Sequence, residues 1–324
     1  MGAGVQPVQR VPAGHAAGDP PGGAQHRVRP PLRHPRAEAS GHPGARQPGR
    51  GDGPGLRRGH LPRGDAGRVL PAGGGEGMTL AFGLLGSGEF EPWQAEVDRW
   101  LMERSANPGA PVLILPTAAA HEGDEMFDHW ASKGLDHYRS AGIPAEVVPL
   151  KTREDAARPE LVGKLEGASA VFFSGGNPKV LSAKLAKTPF LAELLRVMKA
   201  GVPYAGCSAG VACLGPAAPD SDAMVVDESV MEHPGLDLFS ETNFGPHWDE
   251  LDSFVPGLTD LIVRWTPPGW LLFAIDTNTA AAGDGERWTV MGSGKVHLHT
   301  AGEWEHYGAG ESFSRSLPLG SAWV

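Results

Sequence analysis

The 324-residue chain is acidic overall, with 28 Lys and Arg against 38 Asp and Glu. An acidic protein repels polyanions, so the composition argues against nucleic acid as a partner. Two Cys are too few for a disulfide framework or a structural zinc site of thiolates. No apolar run is long enough to span a membrane, and no secretory signal is recognisable, so a cytoplasmic location without membrane contact is expected.

The first 77 residues differ in composition from the rest of the chain. They contain 19 Gly and 12 Pro, and they lack Lys, Ile, Phe, Trp and Tyr. A segment so poor in large apolar side chains buries too little surface to offset an ordering entropy of about 1 to 2 kcal/mol per residue. We therefore predict that residues 1–77 form a disordered extension rich in Gly, Pro and Arg. An alternative is that the natural protein starts at Met78.

Residues 78–324 are expected to form a single α/β hydrolytic domain. From Met78 onward, apolar runs alternate with amphipathic segments, which is the pattern of a mostly parallel sheet covered by helices. The last part of the chain predicts antiparallel strands, with a hairpin between 287–291 and 295–299 around Gly292-Ser293-Gly294. The other predicted strands are 79–85, 112–115, 145–150, 168–174, 201–205, 271–275 and 279–282, and the main helices are 93–104, 124–140, 159–166, 181–187, 190–199 and 258–265.

The strongest functional motif is Gly206-Cys207-Ser208-Ala209-Gly210, which follows a short apolar run. In a G-x-S-x-G nucleophile elbow, the serine sits on a sharp strand-to-helix turn, and glycines flank it because a β-carbon would collide there. The motif predicts Ser208 as the nucleophile. Cys207 is expected to pack in the core, because a shift of one residue along the turn points its side chain away from the cleft.

A serine nucleophile needs a base and an oxyanion site. His247 lies on a turn bounded by Gly and Pro, and it is the first candidate for the base. The expected oxyanion donors are the backbone N–H of Ala209 and one N–H from Gly175 or Gly176, which follow a predicted strand.

Four further polar residues are candidates for the same site. Asp249, two residues after His247, and Asp276, at the end of an apolar strand, are alternatives for the acid that orients the histidine. Glu89 and Asn177 lie in loops at the same edge of the sheet. They are candidates for binding the amino or carbonyl group of a peptide, or for forming turns only.

Six short motifs occur in a fixed order between residues 79 and 300. They are Gly-Leu-Leu-Gly-Ser-Gly-Glu-Phe, Leu-Pro-Thr-Ala-Ala, Phe-Ser-Gly-Gly-Asn, Gly-Cys-Ser-Ala-Gly, Gly-Pro-His-Trp-Asp and Ala-Ile-Asp-Thr-Asn-Thr-Ala. In this order they resemble the cyanophycinase and aspartyl dipeptidase (dipeptidase E) family of serine peptidases. The resemblance implies a class I glutamine amidotransferase-like fold, which is a flavodoxin-like, doubly wound and mostly parallel α/β sheet, here with antiparallel C-terminal strands.

The same resemblance implies roles for individual residues. Ser208 matches the nucleophile of the family, and His247, 39 residues downstream, matches the base. Gly175 and Gly176 match a Gly-Gly contribution to the oxyanion site. Many members carry Asp-Glu after the late Ile where this chain has Asp276-Thr277, so the resemblance leaves the acid open.

The expected function is a serine peptidase that cleaves a peptide or isopeptide bond, in an aspartyl or β-aspartyl dipeptide or a similar small peptide, through an acyl-enzyme. One alternative is an α/β-hydrolase-type esterase with its base at His297, His299 or His306. Another is a catalytically inactive amidotransferase-like binding protein. The sequence is compatible with a homo-oligomer, and Arg196 and Arg264 are candidate anchors for a substrate carboxylate.

No metal or other cofactor is expected. His121-Glu122 resembles the start of a zinc motif, but Glu125 stands where H-E-x-x-H requires its second histidine. His297 and His299 share one face of a predicted strand without a third ligand.

Overall fold

The computed structural model describes residues 80–223 and 225–324. The predicted extension lies outside the described residues, so its disorder and the boundary at residue 78 stay predictions.

Two β-sheets form the framework. Their strands are β1 Phe82–Leu85, β2 Val112–Leu115, β3 Ala145–Val147, β4 Ala170–Phe173, β5 Tyr204–Cys207, β6 Thr242–Pro246, β7 Leu271–Ile275, β8 Thr279–Gly283, β9 Arg287–Gly292, β10 Lys295–Thr300, β11 Glu303–Gly308 and β12 Ser312–Ser314.

The described helices are short, apart from the 17-residue helix α2. None of those in the described part of the chain is long and apolar enough to cross a membrane. The helices are α1 Ala95–Met102, α2 Asp124–Ser140, α3 Pro159–Val162, α4 Pro178–Leu185, α5 Pro189–Lys199, α6 Ala209–Ala212, α7 Leu251–Phe254 and α8 Leu258–Trp265.

The larger sheet has eight strands in the order β12-β9-β8-β1-β5-β4-β2-β3. Strands β1, β5, β4, β2 and β3 pair in parallel, and β8 joins β1 in the antiparallel sense. The parallel strands β1, β2, β4 and β5 are buried along their whole length, which explains why they are continuously apolar in sequence. The predicted fold class, a mostly parallel α/β sheet with antiparallel C-terminal strands, is confirmed.

The smaller sheet has four strands in the order β11-β10-β7-β6. The predicted hairpin between 287–291 and 295–299 is wrong, because these two segments belong to different sheets. Strand β9 pairs with β8 and β12 in the larger sheet, whereas β10 pairs with β7 and β11 in the smaller one. The segment Gly292-Ser293-Gly294 therefore carries the chain from one sheet to the other.

The two sheets share an apolar core. Trp288 of β9 is almost completely buried, and its ring centroid lies 6.3 Å from that of Phe82 in the larger sheet and 5.3 Å from that of Phe273 in the smaller one. Aromatic side chains bury much area each, so this contact contributes strongly to holding the sheets together. The consequence for the site is that residues from β5 and from the end of β6 are held side by side.

Candidate active site

Ser208 lies between β5 and α6 with φ 51° and ψ −105°, a conformation that residues other than glycine rarely adopt. The chain can turn so sharply because two neighbours lack side chains. A β-carbon on Gly206 would lie 2.4 Å from the carbonyl oxygen of Gly210, and one on Gly210 would lie 2.7 Å from the carbonyl oxygen of Phe173. The geometry is that of a nucleophile elbow.

His247 contacts the serine directly, with 2.9 Å between its Nε2 and Ser208 Oγ. It follows the last residue of β6 and also has a positive φ, of 55°. The carbonyl group of His247 accepts hydrogen bonds from the backbone N–H groups of Glu250 and Leu251, at 2.8 and 2.9 Å. These bonds fix the turn, so the imidazole reaches the elbow from the neighbouring sheet.

The histidines of the esterase alternative lie elsewhere. His297 Nε2 is 2.8 Å from Asp276 Oδ1, and the Nδ1 atoms of His297 and His306 are 2.7 Å apart. The ring of His299 packs against Trp304, with centroids 4.7 Å apart. The geometry therefore selects His247 as the partner of Ser208.

Burial lowers the pKa of His247 below its ordinary value of 6.5, while the nearby carboxylates of Glu89, Glu250 and Asp249 act in the opposite direction. A lowered pKa keeps the imidazole neutral at neutral pH. A neutral imidazole can accept the proton of the serine hydroxyl, as a general base must.

Cys207 is completely buried next to the elbow. Its Sγ donates a hydrogen bond to Glu89 Oε2 at 3.0 Å. Burial, followed by the charge of Glu89, raises the pKa of this thiol well above its usual value. Since the thiolate is the reactive form of cysteine, the Cys207 side chain is a packing group here.

Glu89 is 4% exposed and its Oε1 accepts a hydrogen bond from the Gly175 N–H at 2.9 Å. A β-carbon on Gly175 would lie 3.4 Å from Ser208 Cβ, so this contact is made beside the nucleophile. Of the two glycine N–H groups predicted as alternative oxyanion donors, that of Gly175 thus already has an acceptor. Within residues 80–223 and 225–324, the N–H groups of Gly176 and Ala209 have no hydrogen-bond acceptor, which leaves them for an oxyanion.

Neither candidate acid is hydrogen-bonded to His247. Asp276 accepts hydrogen bonds from the His297 side chain and from the Lys295 N–H, at 2.8 and 2.9 Å, and so ties β7 to β10. Asp249 accepts one from the Thr277 N–H at 2.7 Å. The expectation that one of them orients the imidazole directly is therefore not met. Asp276 is instead paired with the His297 imidazole, and Asp249 is turned toward the Thr277 N–H.

Asn177 serves as a helix cap, which is the turn-forming alternative of the sequence analysis. Its Oδ1 accepts a hydrogen bond from the Val180 N–H at 3.3 Å at the start of α4, and its Nδ2 donates to Asp220 Oδ1 at 2.7 Å. The side chain is 2% exposed. Both the oxygen and the nitrogen of the amide are thus engaged in contacts that position α4 and Asp220.

A cavity of about 310 Å³ opens beside Ser208 and His247, and its lining includes both residues and Gly176. The sequence analysis missed its far wall, which is built by α7 and α8. The signal that could have found it is the apolar pattern directly after the histidine. The residues of this pattern are Leu251, Phe254, Val255, Leu258 and Ile262.

In the described part of the chain, no group of three or more His, Cys, Asp and Glu side chains is arranged to hold a metal ion. His121 instead contacts the Ala118 carbonyl oxygen at 3.0 Å and Asp222 Oδ2 at 2.8 Å.

Comparison with known proteins places these features in a family context. A family model described as peptidase family S51 matches residues 82–290, a range that contains the elbow and the histidine. A cyanophycinase of Synechococcus elongatus is 28% identical over 144 residues, which is 44% of this chain and 42% of that protein. The chain thus matches less than half the length of this relative.

Two further comparisons cover more of both partners. A cyanophycinase of a Nostoc species is 23% identical over 231 residues, which is 69% of this chain and 74% of that protein. The crystal structure of a peptidase from an acI-B1 Actinobacterium superposes with a TM-score of 0.65 and 29% identity, and the match covers 74% of this chain and 98% of that one.

Proposed function

The chain belongs to peptidase family S51, and from that premise we propose that it is a serine peptidase that hydrolyses a peptide or isopeptide bond in a small substrate through an acyl-enzyme. The observation that carries the proposal is the 2.9 Å contact between His247 Nε2 and Ser208 Oγ. This contact is made at a nucleophile elbow, where the serine is presented to a cavity.

In the proposed reaction, Ser208 Oγ attacks the scissile carbonyl while His247 Nε2 takes its proton. The backbone N–H groups of Ala209 and Gly176 hold the oxyanion of the tetrahedral intermediate. The protonated imidazole then gives its proton to the leaving amine. A water molecule, activated by the same imidazole, hydrolyses the ester bond to Ser208 and regenerates the enzyme.

The imidazolium formed in these steps needs negative charge nearby. In a serine triad one carboxylate both orients the histidine and stabilises its charge. We propose that here the electrostatic part falls to Glu89, Glu250 and Asp249, whose charges raise the pKa of His247. The backbone bonds of the turn hold the ring in place.

The finer proposal is an aspartyl or β-aspartyl dipeptide as substrate. It is supported by the motifs shared with the cyanophycinase and aspartyl dipeptidase family and by the named cyanophycinase relatives. Such dipeptides are therefore the first substrates to screen.

Labelling with a fluorophosphonate probe tests the proposed function before a substrate is known. We expect the folded protein to be labelled at Ser208, because the probe reacts with a serine that a base activates. Mass spectrometry of the labelled peptide locates the adduct, and Ser208→Ala serves as the control. Folded protein that stays unlabelled would instead favour the inactive binding protein.

The activity should depend on pH through His247. Because the imidazole must be neutral to act as the base, kcat/KM is expected to rise with pH through a pKa that burial holds below 6.5. Removing a charge that favours the imidazolium lowers this pKa further, so Glu89→Gln should shift the acid limb to lower pH. The amide oxygen of Gln can still accept the hydrogen bond from Gly175.

The matched control for this pH profile is Glu303→Gln, which removes an exposed carboxylate from β11 of the smaller sheet. We expect it to leave the acid limb where it is in the wild type. An acid limb that Glu89→Gln leaves unchanged, or moves to higher pH, would contradict the electrostatic role proposed for Glu89.

A further inference from the structure

The wall of the cavity beside Ser208 is almost entirely apolar. Helices α7 and α8 contribute Phe254, Leu258 and Ile262, and Val225 and Met231 complete the wall. The centroid of the Phe254 ring lies 5.9 Å from that of His247 in an edge-on arrangement. The apolar surface thus begins at the catalytic base itself.

Two of these side chains are unusually open to solvent. Phe254 is 52% exposed and Val225 is 49% exposed, although both line a concave site. A ligand that covers such apolar groups binds more tightly, because each Å² of apolar surface removed from water contributes roughly 25 cal/mol of favourable free energy.

We propose that this cavity binds a large apolar side chain of a residue flanking the scissile bond, and that it discriminates against a carboxylate at the same position. This inference rests on the proposed serine peptidase function, and it specifies the class of substrate that the peptidase would cleave. Within the aspartyl dipeptides it selects those whose other residue is large and apolar, such as Leu or Phe.

The charge of the cavity supports this selection. Asp220 is the one charged side chain of the described lining, since the imidazole of His247 is neutral. It accepts hydrogen bonds from Asn177 at 2.7 Å and from Lys179 at 3.0 Å, and these contacts lower its pKa. Its negative charge opposes a substrate carboxylate, and its existing partners reduce its attraction for a substrate cation.

The basic residues considered as anchors do not supply the missing positive charge. Arg196 lies on the surface, where it pairs with Glu193 and Glu166 at 2.6 and 3.0 Å. Neither Arg196 nor Arg264 belongs to the lining of the cavity in the described part of the chain. A carboxylate placed there would lose its hydration, and Lys179, the cation that contacts Asp220 of the lining, is already paired with that carboxylate.

The size of the cavity also fits. Its volume of about 310 Å³ is at the lower end of the range typical of small-molecule sites, roughly 300 to 1,000 Å³. Such a space is large enough for one side chain of the size of Leu or Phe, whereas Ala leaves most of the wall uncovered.

The test compares kcat/KM over dipeptides that vary one position at a time, with Leu, Phe, Ala, Lys or Asp on either side of the scissile bond. Aspartyl and β-aspartyl residues are included at the partner position. At one of the two positions we expect Leu or Phe to exceed Ala by about tenfold or more, and Asp by a larger factor. Asp or Lys equal to Leu at both positions would overturn the proposal.

Variants of Phe254 connect the preference to the cavity. Phe254→Ala is expected to lower kcat/KM for Leu and Phe substrates by about tenfold and to change Ala substrates much less. Phe254→Arg should shift the preference toward Asp. The control, Leu319→Ala, truncates another exposed apolar side chain, 44% exposed and outside the cavity lining, and should leave the profile unchanged.

Fluorophosphonate labelling of the same preparations separates two failures. Labelling at Ser208, together with a profile that ignores the apolar residue, rejects the substrate preference and leaves the peptidase function standing. Folded protein that neither labels nor cleaves any dipeptide rejects the function, and the preference falls with it. A profile that Phe254→Ala and Leu319→Ala change equally would likewise overturn the assignment to this cavity.

Discussion

Replacing Ser208 with Ala is expected to lower the turnover of any substrate of the wild-type protein by about 10⁴-fold or more, because the acyl-enzyme can no longer form. We expect the fold to be unaffected, since the one hydrogen bond of the Ser208 hydroxyl in the described structure is to the imidazole of His247. Steady-state kinetics and thermal unfolding of the same preparation measure the two effects separately.

The matched variant is Cys207→Ala, one residue away on the same turn. It removes a buried sulfur atom, so we expect some loss of stability and at most about a tenfold loss of activity. If Cys207→Ala abolished turnover while Ser208→Ala kept it, the nucleophile would be the cysteine, and the assignment of Ser208 would be wrong.

The second large effect is expected at Gly206. The β-carbon of Gly206→Ala would lie 2.4 Å from the carbonyl oxygen of Gly210, a distance at which the backbone itself must move. We expect the free energy of unfolding to fall by about 3 kcal/mol or more, and the activity of the protein that remains folded to drop sharply. Chemical denaturation and kinetics at a temperature below the transition measure both.

Gly163→Ala is the control for this substitution. Gly163 has ordinary helical dihedral angles, and apart from its neighbours along the chain no described atom lies within 4 Å of the position that its β-carbon would take. At such a site, Ala stabilises a protein by about 0.4 to 1 kcal/mol. If Gly206→Ala, like Gly163→Ala, did not lower the free energy of unfolding, the close approach at the elbow would be contradicted.

Local patterns predicted the layers of the fold well. Strand β2 and helix α2 have the bounds that the sequence pattern predicts, 112–115 and 124–140. The strand is a continuous apolar run, and the helix has apolar side chains at near-helical spacing. Gly or Pro residues lie close to the ends of both segments. The elbow could also be predicted from the sequence, because its geometry depends on Gly206, Ser208 and Gly210, which are close together in the chain.

The pairing of the last strands was not readable from local patterns. A Gly-Ser-Gly segment between two strands allows a hairpin, but it equally allows the second strand to leave the sheet. Tertiary packing decides between these outcomes. Here His297 of β10 lies opposite Ala274 of β7, and β9 stays with β8.

The acid illustrates the same limit. Asp276 was predicted as a carboxylate buried at the end of a strand, and it is 7% exposed. Its partner is nevertheless His297, because the register between β7 and β10 brings that imidazole to it. A sequence shows that a buried charge needs a partner, but the partner depends on contacts between distant segments.

The division of the site between two sheets has a consequence for the proposed activity. Ser208 follows a strand of the eight-stranded sheet, and His247 follows a strand of the four-stranded sheet. The 2.9 Å contact between them therefore depends on the relative position of the two sheets. A shift of one sheet by about 1 Å would separate Ser208 from His247 while every strand stays intact. We therefore expect misalignment of the sheets to abolish the proposed activity before the protein unfolds.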